Sequence, residues 1–202
     1  MIRELERVAQ RPVSRETFER LETYVERLKA EAREQNLISA STLDRIWERH
    51  ILDSAQLVRF EPRRGASWAD IGSGPGLPGI VIACLVEGPV TLIEPRRLRA
   101  EFLAETIQSL GLNATLEPTK VEKVSGRFDV ITARAVAPLS RLLEISQHLS
   151  TRKTVWALPK GRGAQSELAE ARRAWQGEFH VERSVTDAES RIVVGTGVRA
   201  KR

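Results

Sequence analysis

Asp70-Ile71-Gly72-Ser73-Gly74-Pro75-Gly76-Leu77-Pro78-Gly79 concentrates residues that can hold a ligand through the main chain. Three glycines fall one apart, at 72, 74 and 76, straight after the short run Trp68-Ala69-Asp70-Ile71. Glycine permits positive φ and lets a ligand approach the backbone closely. Pro78 suits the first turn of a helix, where its missing N–H costs nothing. Gly79, without a Cβ, lets that helix lie close to a sheet. The stretch reads as strand, glycine turn and helix start. An ordinary tight turn is the plainer alternative, and the next signal weighs against it. Val90-Thr91-Leu92-Ile93-Glu94 is an apolar run ending in an acid, about one βαβ unit further on. A carboxylate only accepts hydrogen bonds, so Glu94 at a strand end can take both hydroxyls of a ribose. A solvent-facing acid is the alternative there.

Counted from Gly72, a dinucleotide-binding turn would require Gly or Ala at its sixth position, which is Leu77 here. The glycine spacing after Asp70 instead resembles the first motif of class I S-adenosylmethionine (SAM) methyltransferases. Elements that could position such a turn follow. From residue 65 onward strands and helices alternate, the signature of an α/β fold with a mostly parallel sheet. The patterns predict strands near 66–71, 90–94, 114–118, 128–133, 154–159, 179–185 and 191–196. They predict helices near 78–86, 97–110, 138–149 and 164–175, with Gly111 capping the second. The last two strands have no helix between them and are expected to form an antiparallel hairpin. Residues 198–202 are expected to be a frayed basic tail.

Ligands in this architecture sit at the carboxyl ends of the strands. Arg134 follows Phe128-Asp129-Val130-Ile131-Thr132-Ala133 and can fork onto a carboxylate or a phosphate. A surface salt bridge is the alternative. Lys160 and Arg162 follow Trp156-Ala157-Leu158-Pro159 on the same rim and fit phosphate contacts. Thr119-Lys120-Val121-Glu122 follows the third strand, where main-chain groups can read an adenine edge.

Residues 1–64 lack the βαβ alternation and read as helical. Phe18, Leu21, Tyr24, Val25 and Leu28 recur at helical spacing, with Ser14 as a candidate N-cap. A second helix is expected over 42–57. It carries His50 and Ser54, four residues apart on one face. A helix-face histidine is more often structural than functional. Glu61-Pro62-Arg63-Arg64-Gly65 reads as a linker, which divides the chain into an N-terminal helical cap (1–64) and a ligand-binding domain (65–202).

The 202 residues are 41% hydrophobic, and no run of 18 apolar residues occurs, so no membrane span is expected. The charged N-terminus lacks a signal-peptide apolar region. One cysteine, Cys84, excludes an internal disulfide, and a cytoplasmic protein is expected. Cys84 lies in an apolar helical run and reads as a small core residue. With three scattered histidines (His50, His148 and His180), no metal site is expected. The formal charge is +5, but residues 119–163 carry nine basic residues against three acids, leaving the rest of the chain slightly negative. Such a region can attract phosphates in a salt-dependent way; a solvated basic surface accounts for it equally well.

Asn36-Leu37, His50-Ile51-Leu52-Asp53-Ser54, the glycine turn through Gly79, Thr132-Ala133-Arg134-Ala135-Val136-Ala137-Pro138 and Lys160-Gly161 together resemble one family. It is the 16S ribosomal RNA guanine-N7 methyltransferase family, also called glucose-inhibited-division protein B, and the resemblance covers nearly the whole chain. It implies a class I SAM-dependent methyltransferase: Rossmann-like, with a mostly parallel seven-stranded sheet and an N-terminal helical extension for substrate recognition. It implies SAM contacts at Gly72, Gly74, Leu77, Val121, Glu122 and Arg134, with Glu94 on the ribose. It implies guanine 527, in helix 18 of the small-subunit RNA, as acceptor. RNA-binding candidates are His50, Arg134, Lys160 and Arg162, and a monomer acting on the small ribosomal subunit is expected. Two departures from the family pattern stand out: Pro95-Arg96-Arg97-Leu98 after Glu94, and Pro159 before Lys160.

Guanine N7 carries a free lone pair at neutral pH, so methyl transfer to it needs no general base. That agrees with a sequence that offers no nucleophile or catalytic dyad. Positioning can supply roughly 7–11 kcal/mol when geometry is good. The product base is cationic, and a nearby carboxylate can stabilise it; Asp53 is the candidate. N7 lies on the Hoogsteen edge, so the base must be accessible in a loop or splayed out. Two other classes stay open: a methyltransferase with another acceptor, and a non-catalytic RNA-binding module on a degenerate methyltransferase fold. Steep salt dependence with RNA separates the first, and failure to bind SAM would favour the second.

Overall fold

The computed structural model describes residues 1–34 and 44–201, the side chains of 33 and 34 excepted. Asn36-Leu37 and the start of the expected second helix lie outside the described residues.

Seven strands form one sheet: β1 (Trp68–Ile71), β2 (Val90–Ile93), β3 (Ala114–Glu117), β4 (Val130–Ala133), β5 (Val155–Pro159), β6 (Trp175–Arg183) and β7 (Arg191–Ala200). Their order is β3-β2-β1-β4-β5-β7-β6. β1 pairs in parallel with β2 and β4, while β7 runs antiparallel to both β5 and β6. β1 and β4 are buried at every position, the polar Asp70 and Thr132 included, as central parallel strands covered on both faces are.

Side chains alternate between the two faces of each strand. On β1, Trp68 joins one core and Ala69 and Ile71 the other. The first core also holds α1 (Ile2–Ala9), α2 (Arg15–Glu34) and a composite helical segment, here α3 (47–60). α3 is a π turn (Trp47–Leu52), a single α turn (Asp53–Ala55) and a 3-10 turn (Gln56–Phe60). On the same side lie α4 (Gly79–Leu85) and α5 (Arg97–Leu110). The opposite face packs against α6 (Leu139–Ser146) and α7 (Ala164–Ala174).

The N-terminal helices are held by more than apolar packing. Ser14 Oγ accepts from Thr17 N at 3.0 Å and caps α2. Leu21, Tyr24, Val25 and Leu28 are the buried face of that helix. Arg11 donates to the carbonyls of Val58 and Leu85 and pairs with Glu61 at 2.9 Å. The segment that reads as a linker is thus pinned: Glu61 to Arg11, Arg63 to Asp129 and Arg64 to Glu87.

The C-terminal hairpin differs from its expected bounds. β6 begins at Trp175, directly after α7, rather than near 179. β7 runs through Ala200, where the sequence suggests a frayed tail. Val198 is buried, Ala200 pairs with Trp175, and Lys201 N donates to Ala174 O at 2.8 Å. Charge in Arg199 and Lys201 hides a strand end that is fixed by backbone pairing.

The charge-rich region also divides. Lys120, Lys123 and Arg162 follow the carboxyl ends of β3 and β5, whereas Arg127, Arg152 and Lys153 precede β4 and β5 at the opposite end of the sheet. Clustering in sequence is therefore not one basic surface. Among the described residues no helix is long and apolar enough to cross a membrane. Cys84 is buried, and burial pushes its thiol up to about 12.

Candidate functional site: two cavities at the carboxyl ends of the strands

The glycine turn connects β1 to α4. Gly72, Gly74 and Gly76 have φ of 64°, 57° and 102°, a region that disfavours side chains. A Cβ on Gly72 would lie 2.6 Å from Val136 Cγ2, so only glycine leaves the turn open there. Tyr24, wholly buried on α2, donates to Pro75 O at 3.0 Å and ties the turn to the N-terminal helices. Asp70 sits on the face of β1 that meets α4. Its Oδ2 accepts from Gly79 N at 3.0 Å, at the start of that helix. A Cβ on Gly79 would approach that oxygen to 2.6 Å, so the glycine permits the contact. Burial pushes the Asp70 carboxyl up to about 7.

Glu94 follows β2 and is 3% exposed. Its Oε2 accepts from Gly74 N at 2.8 Å and its Oε1 from Arg96 N at 2.9 Å. Each carboxylate oxygen retains a further lone pair for a hydroxyl donor. Gly72, Glu94, Val121 and Glu122 line one cavity of about 350 Å³, together with Arg96 and Arg99. Three of the expected cofactor contacts, Gly74, Leu77 and Arg134, do not line this cavity. Gly74 gives its N–H to Glu94 and does not line this cavity, and Leu77 is buried in the core.

Arg134 lies on the other side of a partition. β4 ends at Ala133, and Ala135 has φ 55°, a left-handed conformation in a non-glycine residue. Ala135 and the half-exposed Val136 line both the first cavity and a second, of about 470 Å³. Arg134 lines only the second, with Asp53, Gln56, Pro159 and Lys160. Arg134 Nη1 is 3.5 Å from Asp53 Oδ2. Its charge also reaches Tyr24, His50 and Asp70, holding each toward lower pKa.

Lys160 departs from the expected phosphate contact. Its side chain is 8% exposed; Nζ donates to Ala137 O at 2.7 Å and pairs with Glu167 at 3.0 Å. Because Glu167 also accepts from Leu139 N, the lysine braces the 134–138 segment rather than offering a free rim charge. Arg162 is exposed and pairs with Glu189. His50 is half-buried, and burial first, then Arg134 and Arg49, bring it down to about 4, so at neutral pH it carries no charge for a phosphate. Ser54, on the same helix face, is buried.

Pattern reading misses the residues that hold Asp53. Gln56, 1% exposed, donates from Nε2 to Asp53 Oδ1 at 2.8 Å and to Ser184 Oγ at 3.0 Å. Thr186, in the β6–β7 turn, donates to the same Asp53 oxygen at 2.9 Å. Nothing local marks these positions, which lie about 130 residues apart in the chain.

The model of the family described as rRNA small subunit methyltransferase G matches residues 17–193. The curated ribosomal RNA small subunit methyltransferase G of Zymomonas mobilis is 45% identical over 199 residues, covering 94% of this chain and 90% of the relative. That of Sphingopyxis alaskensis is 50% identical over 187 residues, with 91% and 80% covered. Solved structures share the fold at low identity. The ribosomal protein L11 methylase of Lactobacillus delbrueckii superposes with TM-score 0.60 at 16% identity, covering 76% of this chain and 79% of that one. M. jannaschii TYW2, solved in complex with AdoMet, gives 0.58 at 14%, covering 75% and 76%. The glycine turn, the acid after β2 and the 3-2-1-4-5-7-6 sheet are thus those of a class I SAM-dependent methyltransferase, and the chain belongs to the rRNA small subunit methyltransferase G family.

Proposed function

We propose that this protein methylates N7 of guanine 527 in helix 18 of 16S ribosomal RNA, with SAM in the smaller cavity and the target base in the larger one. The observation that carries the reading is the meeting of the two cavities at Ala135 and Val136. The smaller cavity fits SAM in chemistry. Gly72 keeps it open, Glu94 has lone pairs for ribose hydroxyls, and Val121 and Glu122 line it and would supply main-chain groups to an adenine edge.

SAM, when bound, supplies an electrophilic methyl group on a positively charged sulfur. The guanine N7 lone pair needs no protein base, and no proton moves in the transfer. The chain's part is to hold the base in line and to exclude alternative poses. Positive charge passes from the cofactor side to the base, so Asp53 in the larger cavity is placed to stabilise the product cation. Arg134 bounds that cavity, where it orients the base or grips an adjacent phosphate. Arg162 contributes a rim charge, and His50 acts as a neutral neighbour rather than a phosphate ligand. Residues 1–64 serve as the substrate-recognition extension on a 65–202 methyltransferase domain, in a cytoplasmic monomer.

The test uses small ribosomal subunits from a strain lacking this protein. They are incubated with purified protein and labelled SAM, and the label is mapped by N7-specific strand cleavage. One cleavage site in helix 18 is the expected result. SAM binding without label would overturn the acceptor assignment.

A further inference from the structure

We propose that the tip of the β6–β7 hairpin is part of the acceptor site, with Thr186 and Gln56 acting as positioning residues for Asp53. The inference rests on the reading of the larger cavity as the base site. The side-chain donor hydrogens each find one acceptor, and Ser184 Oγ is shared further with Thr186 N at 3.2 Å and Asp187 N at 3.3 Å. The Gln56 amide places one hydrogen on Asp53 Oδ1 and the other on Ser184 Oγ. The Thr186 hydroxyl gives its only hydrogen to Asp53 Oδ1, at 2.9 Å. Ser184 Oγ, 2.9 Å from Thr186 Oγ1, then donates to it. Gln56 Oε1 accepts from Val185 N at 2.9 Å, so the same buried amide also fixes the hairpin backbone.

The consequence is an oriented carboxylate. Asp53 Oδ1 has both lone pairs occupied, by Gln56 and Thr186. Oδ2 is left toward Arg134, at 3.5 Å, longer than a well-formed charge-assisted bond. That oxygen retains capacity for a further partner in the cavity. The hairpin tip is fixed a second time, where Arg49 pairs with Asp187 at 2.9 Å. Without Thr186 and Gln56, Asp53 would be free to turn and to close on Arg134, removing the carboxylate from the incoming base.

The experiment is a double-mutant cycle on the full chain, read by single-turnover methylation of small subunits and by SAM affinity. Thr186→Val is expected to lower the single-turnover rate roughly fivefold to tenfold, the loss of one such bond, with SAM affinity unchanged and the chain still folded at the assay temperature. Thr186→Ser, which keeps the donor, restores the rate. In an Asp53→Asn background, Thr186→Val adds nothing further, because the two act through one group. An equal effect in both backgrounds would overturn the proposal, as would a wild-type rate in Thr186→Val. Failure of the wild-type protein to methylate subunits would instead overturn the acceptor reading itself.

Discussion

The two cavities are neighbours built in different ways. The smaller one is made by turns that directly follow β1, β2 and β3, and backbone groups do most of its work. Glu94 is gripped by two main-chain N–H groups, and Gly72 leaves the space into which Val136 faces. The larger one is made by side chains from α3, the end of β4, the end of β5 and the β6–β7 hairpin. A backbone cradle demands glycine and a fixed acid within one short stretch. A cavity walled by side chains from four segments sets no such local demand. One common wall, Ala135–Val136, separates them, and variants on either side should fail differently.

The largest effect is expected on the cofactor side. Gly72→Val must place a Cβ against Val136 Cγ2 in a left-handed backbone conformation. Calorimetry should show no SAM binding, while RNA binding persists through the other cavity. Wild-type SAM affinity would show that the smaller cavity is not the cofactor site. Arg134→Ala tests the far side of the wall. Its partner Asp53 is partly exposed, so solvent can compensate and the fold should survive. Single-turnover methylation should fall roughly tenfold to a hundredfold, as for loss of a charged hydrogen-bond partner. SAM affinity should change little. A loss of SAM affinity with unchanged turnover would move Arg134 to the cofactor.

The split of the basic segment sharpens the comparison at smaller amplitude. Lys120→Ala with Lys123→Ala removes charge at the carboxyl end of the sheet, and Arg152→Ala with Lys153→Ala removes it at the amino end. The first pair should reduce the slope of log(kcat/KM) against log salt by roughly 0.7–0.9 for each phosphate it no longer neutralises. The second pair should leave that slope unchanged. An equal reduction by both pairs would mean that RNA wraps both ends, and no reduction by either would mean that neither pair meets phosphate.

Legibility follows the same division. Strand positions, the glycine turn and Glu94 can be read because each is set by neighbours in sequence. β1 and β4 are short, mostly apolar runs, each with one polar residue, and Gly72 is required by its own φ. Lys160 misleads because its type suggests a rim cation. Only the fold brings Glu167 and Ala137 O to its ammonium. Gln56 and Thr186 carry no signal, since a buried glutamine and a turn threonine acquire meaning only when Asp53 lies between them. The β7 end is hidden because exposed strand positions such as Arg199 tolerate charge while the backbone still pairs with β6.

Asp70 provides the most local test, beneath the glycine turn and outside the lining of both cavities. It is 1% exposed and buried against α4, and its carboxyl is pushed from 3.8 up to about 7. Between those values the folded chain holds a proton that the unfolded chain has released. Its contribution therefore weakens stability as pH rises from about 4 to about 7, and is constant above that. The amide introduced by Asp70→Asn cannot ionise, but its oxygen can still accept from Gly79 N. Urea denaturation of Asp70→Asn and the wild type should therefore show a gap that moves in favour of the variant up to neutral pH and then stays level. Parallel curves across that range would mean that Asp70 stays ionised when folded. The charge of Arg134, on the far side of the wall, would then govern this carboxylate more than burial does.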